Sequence, residues 1–196
     1  MLVRLVLIRH GATAWSVTGE HTGRSDIPLS AQGREQLGPL DGLVRAVLAD
    51  QYDAAAVYSS PLDRALTSAR LVVGPARDVT VDERLVEYDY GEYEGLRPDE
   101  IRATRPTWDI WVDGCPGGES VEDVGQRLGG FLTDVAARHS TVVVFAHSHV
   151  IRIMAALSVG LVAREGHIFT LDTASLSVID DVRGKRVIQH WNLRPQ

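Results

Sequence analysis

One cysteine, Cys115, stands in 196 residues, so no internal disulfide can form and nothing points to an oxidising compartment. A buried or idle thiol is expected there. No apolar run approaches the length that crosses a bilayer. The N-terminal run is interrupted by Arg4 and closed by Arg9, too short for the centre of a signal peptide. A cytoplasmic protein with no membrane partner is expected. Basic stripes are missing and the net charge is -6, which argues against nucleic acid as a general partner, because nothing is there to neutralise a phosphate backbone. Any anion site must be local. Linkers rich in Pro, Gly or Ser, internal repeats and low-complexity segments are absent too. Residues 1–196 therefore read as one domain, long enough for one substantial core.

What is present is an alternation of short apolar runs with helical patterns. Runs at about 2 to 8, 54 to 58 and 141 to 146 are rich in Val, Ile and Leu, as strands buried on both faces are. Their alternation with helices is the signature of parallel βαβ units in an α/β fold. Helices are expected over 121 to 135, started by a capping box of Ser120 and Asp123, and over Leu37 to Leu48 after Ser30. A third is expected from Ser60, with Ser60 as cap and Pro61 in the first helical position. A short strand is expected at Val79 to Val81, and 175 to 180 with 186 to 191 reads as a hairpin at one side of the sheet. The stretch from Leu96 to Gly118 holds Pro98, Pro106, Pro116 and Gly117-Gly118, so it reads as an irregular cap over the site.

The first apolar run ends in Arg9, His10 and Gly11, and the run 141 to 146 ends in His147. Ligands of open α/β sheets bind at the carboxyl ends of the strands, so the two histidines are expected to be neighbours in space. Arg64, in the first turn of a helix after another strand, and Glu87, after Val79 to Val81, can reach the same edge. Two arginines, two histidines and a carboxyl suit a phosphoryl dianion, because guanidinium forks match phosphate oxygens.

Leu7-Ile8-Arg9-His10-Gly11-Ala12-Thr13, the Thr22-Gly23 loop, Ser59-Ser60-Pro61 with Arg64, the Glu87 segment and Ala146-His147 occur in the order found in the histidine phosphatase superfamily. The chain resembles that family, also called phosphoglycerate mutase-like, over nearly its whole length. His21 through Leu29 and Trp108 through Cys115 resemble its acid phosphatase and sugar-bisphosphate phosphatase branch. The resemblance implies a three-layer α/β/α sandwich around a mostly parallel sheet. It also implies a metal-independent phosphomonoester hydrolase acting on a small phosphorylated metabolite, with no cofactor. By position, His10 would be the nucleophile that becomes phosphohistidine, Glu87 the general acid, and Arg9, Arg64 and a protonated His147 the phosphate holders. Nδ1 of His10 is expected to bond the Gly11 carbonyl, which would fix the tautomer.

Two positions depart from the family pattern. Ser16 stands where an Asn amide often touches phosphate, and a hydroxyl donates with shorter reach. Ser148 replaces the usual Gly after the second histidine. Ser16, Thr22, Gly23, Tyr90 and Ser148 are the expected substrate contacts, and His149 is balanced between substrate contact and a polar residue opening a helix. Trp108 and Trp111 read as packing, and Glu92, Glu94, Asp99 and Glu100 as solvated surface.

Three alternatives stay in view. A phosphoglycerate mutase is disfavoured because Glu87-Tyr88-Asp89-Tyr90-Gly91 replaces the mutase sequence Glu-Arg-His-Tyr-Gly, and because only five residues follow Trp191, too few for a covering lid. A metallohydrolase using His10, His147, His149 and Glu87 would set Arg9 against its own cation. A non-catalytic phospholigand-binding domain would lack His10 or Glu87. A homodimer is left open.

Overall fold

The computed structural model describes residues 3–194. Six strands form one sheet, β1 (Arg4–Arg9), β2 (Ala56–Ser59), β3 (Thr80–Val81), β4 (Thr141–Ala146), β5 (Leu176–Val182) and β6 (Lys185–Leu193), in the order β3-β2-β4-β1-β5-β6. The first four are parallel, and β5 and β6 close one side as the expected hairpin, antiparallel to β1 and to each other. The eight α-helices among the described residues are α1 (Ala14–Thr18), α2 (Ala31–Leu37), α3 (Leu40–Leu48), α4 (Asp63–Val73), α5 (Pro98–Thr104), α6 (Ile110–Asp113), α7 (Val121–Arg138) and α8 (Ser148–Ser158).

The pleat explains why the strands read as unbroken apolar runs. Leu5 and Leu7 of β1 and Val142, Val144 and Ala146 of β4 pack in one core with α7 and α8. Val6 and Ile8, with Val143 and Phe145, pack in the other with α3 and α4. Both faces of β1 and β4 are covered, so their inner positions gain by being apolar, about 1.5–3 kcal/mol for each large side chain removed from water. The result is a three-layer α/β/α sandwich around a mostly parallel sheet.

Three expected boundaries move. One helix over Leu37 to Leu48 becomes α2 and α3, because Pro39 lacks the N–H that would continue the ladder. Ser60 is not the cap of α4, whose N-cap is Leu62. The Ser60 hydroxyl instead accepts from Leu62 N at 3.3 Å and meets His147 Nε2 at 2.8 Å. The first N–H of α4 is satisfied from elsewhere, by the Asp26 carboxylate at 2.9 and 3.1 Å. The segment 96 to 118 is more regular than its prolines suggest, since it contains α5 and α6. At α7 the Ser120–Asp123 capping box is present as expected, and the helix runs on to Arg138.

Strand register brings the two histidines together. Arg9 of β1 is paired with Ala146 of β4, so the next residue of each strand, His10 and His147, leaves the sheet at the same level. Their ring centroids lie 5.1 Å apart.

Candidate active site

At this edge lies a cavity of about 200 Å³, small beside pockets for drug-sized ligands. It is lined by Arg9, His10, Ser16, Thr22, Glu87, Tyr90 and Ser148, all expected from the sequence, and by Gly19, Glu20, His21 and His149. His10 Nδ1 lies 2.7 Å from the Gly11 carbonyl. A carbonyl only accepts, so Nδ1 carries the hydrogen and Nε2 keeps its lone pair. Burial pushes the His10 pKa well down from the usual value, and the charges of Arg9 and Arg64 push it further. The ring is thus held neutral and in one tautomer. Gly11 is required by close approach, because a Cβ there would collide with the Gly33 carbonyl.

Glu87 sits at the N-terminus of α8. One carboxyl oxygen accepts from Tyr88 N at 2.9 Å and Val150 N at 3.2 Å, the other from His149 N at 3.2 Å. Such amides favour the anion, but two of the three bonds are long and the group is buried; burial prevails and holds the pKa above the ordinary Glu value. Arg9 donates one Nη1 hydrogen to the Leu171 carbonyl, while its Nε is buried with no protein partner. Of the arginines expected at the site it is the one with the most donors to spare, since Arg64 makes four hydrogen bonds with its five N–H groups.

Arg64 and His147 stand behind the cavity, and they and Gly23 are not among its lining residues. Arg64 is wholly buried. Its Nε donates to His147 Nδ1 at 3.2 Å, Nη1 to Ser25 O at 2.8 Å, and Nη2 to Thr22 O and Gly23 O at 3.0 and 2.9 Å. A ring nitrogen that accepts from arginine cannot carry a proton, so His147 is neutral here, with Nε2 donating to Ser60 Oγ. Burial first, and Arg64 second, push its pKa well down. The expected imidazolium is therefore not the form this arrangement holds. Ser16 also differs from expectation: its hydroxyl accepts from Thr13 N at 2.8 Å and donates to Thr13 O at 3.0 Å, capping α1.

His21 and Glu20 were not singled out from the sequence. No periodicity marks them, and the available signal was their place directly before Thr22-Gly23. His21 stacks on Tyr90 with centroids 4.5 Å apart, and Tyr90 Oη lies 2.8 Å from His149 Nδ1. Trp108 meets the His21 ring at 5.7 Å and Trp111 the His149 ring at 5.1 Å. The segment 96 to 118 thus supplies no lining side chain but supports two that do line the cavity. Among the described residues no group of three or more His, Cys, Asp or Glu side chains is arranged to hold a metal ion. No described helix is long and apolar enough to cross a membrane. Cys115 is buried and unpaired, its pKa raised by burial to about 12.

The sequence profile of the histidine phosphatase superfamily (branch 1) matches residues 5–194. The chain belongs to that superfamily. It is 38% identical over 186 residues to a Mycobacterium tuberculosis protein named acid phosphatase, covering 93% of this chain and 89% of that one. It is 33% identical to the Saccharomyces cerevisiae sedoheptulose 1,7-bisphosphatase, covering 81% and 68% respectively. The solved structure of a Mycobacterium tuberculosis open reading frame superposes with a TM-score of 0.89 at 35% identity, covering 99% of both chains.

In this histidine phosphatase the loop behind Thr22 is clamped from two sides. Arg64 takes its carbonyls, and the Glu94 carboxylate takes its amides: Gly23 N at 2.9 and 3.0 Å and Ser25 N at 3.0 Å. Glu94 is thus no solvated surface residue, and the Gly23 N–H, expected to face phosphate, is already engaged. A Cβ at Gly23 would fall 2.5 Å from the Tyr88 carbonyl, so the loop is pressed against the strand of chain that carries Glu87. Replacing Glu94 by Ala orphans two amides in a half-buried place, which should cost about 1–3 kcal/mol. Chemical denaturation should show that loss, with partial rescue by Gln and a raised KM. An unchanged unfolding midpoint would mean that the clamp is idle.

Proposed function

We propose that this histidine phosphatase hydrolyses phosphomonoesters of small metabolites through a phosphohistidine on His10, with Glu87 as the proton donor. The observation that carries this reading is the bond from His10 Nδ1 to the Gly11 carbonyl, which leaves an unprotonated Nε2 on a ring lining the same cavity as Glu87. In the first step the Nε2 lone pair attacks phosphorus, the bond from phosphorus to the alcohol oxygen breaks, and the Glu87 proton passes to that oxygen. In the second, water attacks phosphorus, the N–P bond breaks, and the water proton returns to Glu87. Arg9 supplies fixed donors to the oxygens that gather charge. Arg64 and His147 would hold phosphate as well only by exchanging their present bonds for bonds to its oxygens. The same reading treats the chain as one domain working in the cytoplasm, where the lone buried thiol stays reduced.

Both pKa shifts favour acid-side activity. His10 is lowered, so it stays neutral and nucleophilic somewhat below its ordinary value of 6.5. Glu87 is raised, so it keeps its proton above its ordinary 4.5. Release of inorganic phosphate from a sugar phosphate, whose alkoxide needs the Glu87 proton, should show in excess chelator a bell-shaped kcat/KM profile with its optimum below neutrality. A requirement for divalent metal, or a rate that climbs steadily into alkaline pH, would overturn the reading.

A further inference from the structure

We propose that Glu20 restricts this phosphatase to substrates with a single anionic group, the phosphoryl ester itself, carried on a neutral hydroxyl-bearing alcohol. The inference rests on the phosphatase reading and names its substrate class.

Arg9 is the one cation among the cavity's lining residues, and Glu20, whose carboxylate accepts from the Thr18 hydroxyl, lines the cavity too. The basic side chains nearby are engaged elsewhere: Arg97, the arginine that feels the Glu20 charge, pairs with Asp99 at 3.5 Å and Glu100 at 3.4 Å, and Arg102 donates to the Trp108 carbonyl at 3.3 Å. Arg64 spends four hydrogen bonds inside the protein. Arg152 donates to the Gly166 and His167 carbonyls and lies over the Trp111 ring at 4.5 Å. Arg24 pairs with Asp89 at 3.5 Å. The only lysine of the chain, Lys185, begins β6 in the edge hairpin. A substrate bound through its phosphoryl group at Arg9 and His10 would therefore set a second phosphate or a carboxylate against Glu20 with no unpaired basic side chain to offset it, and like charges brought together at a binding site are strongly discriminated against.

The rest of the wall suits an uncharged partner. His21, Tyr90 and His149 form a connected group, stacked at 4.5 Å and hydrogen-bonded at 2.8 Å. Burial keeps both imidazoles neutral, with His21 lowered to about 4 and His149 well below the usual value. A neutral imidazole offers one donor and one acceptor, the same pair that an alcohol hydroxyl presents. His21 Nε2 has no partner in the protein, and the flat rings give an apolar face to carbon-bound hydrogens. A phosphoglycerate mutase, by contrast, must hold a carboxylate and a phosphate together.

Glycerol phosphate and phosphoglycerate differ only in exchanging a hydroxymethyl group for a carboxylate. Each is compared as a competitor of p-nitrophenyl phosphate turnover, so that binding is read even where its own turnover is slow. The wild type should bind glycerol phosphate at least about tenfold more tightly than phosphoglycerate. Glu20→Arg should move that ratio toward phosphoglycerate by about tenfold or more, with Glu20→Gln in between. Equal inhibition in the wild type, or a ratio that Glu20→Arg leaves in place, overturns the specificity assignment while p-nitrophenyl phosphate turnover keeps the phosphatase reading standing. If p-nitrophenyl phosphate is not hydrolysed at all, both fall together.

Discussion

His10→Ala is expected to lower kcat by roughly ten thousandfold to a millionfold, the range seen when a covalent nucleophile is removed. No neighbour can take over. His147 has both ring nitrogens engaged, with Arg64 and Ser60, and the Cys115 thiol is buried with a pKa raised to about 12, so it supplies almost no thiolate. Anion binding should survive, because Arg9 keeps its spare donors. Vanadate or phosphate should bind within about tenfold of wild type, a difference of roughly 1.4 kcal/mol. The buried ring leaves a void when truncated, so His10→Gln serves as a fuller-volume control, with the same loss of turnover and a smaller loss of stability. Appreciable turnover in both variants would remove His10 from the nucleophile position.

Glu87→Gln should show a loss that depends on the leaving group. General acid catalysis contributes about a hundredfold to ten-thousandfold where the departing alkoxide is poor. A sugar phosphate should lose that much, and p-nitrophenyl phosphate far less, because its phenolate departs without a proton. The amide oxygen can still accept from Tyr88 N and Val150 N, but the amide nitrogen then faces the His149 N–H, which loses its acceptor. A stability loss of about 1–3 kcal/mol is therefore expected as well; it would slow both substrates alike and is separated from the catalytic effect by their ratio. The limb of the pH profile in which activity falls with rising pH should disappear. Equal slowing of both substrates with an unchanged profile would pass the proton-donor role to Asp89 or Glu92.

Much of this site was legible because strand ends are legible. The apolar runs before His10 and His147 are buried on both faces of a parallel sheet, and adjacent parallel strands bring their following residues to one level. Glu87, Tyr90, Ser148 and Thr22 reach the same cavity, as their positions implied. What the sequence could not show was how donors are spent. Arg64 looks like a phosphate ligand by type and place, yet four of its five N–H groups are taken by the carbonyls of Thr22, Gly23 and Ser25 and by His147. Glu94 looks like one more solvated acid, yet it closes the same loop from its amide side. Ser60 looks like a helix cap and instead bonds a histidine. Each depends on a contact between residues far apart in the chain, which local patterns do not encode. His21 and Glu20 were missed for a related reason: they lie in a loop without periodicity, and only folding stacks His21 on Tyr90 and brings both to the cavity wall.

The central claim is a covalent bond between phosphorus and His10 Nε2. Rapid quenching of the working enzyme with base, with a phosphoryl-labelled substrate, tests it directly, because the phosphoramidate of histidine survives base and is destroyed by acid. The label should be found on the peptide that carries His10, should be lost on acid treatment, and should be absent from His10→Gln. Label on Ser148 or Cys115, or full turnover with no labelled protein at any quench time, would contradict the account.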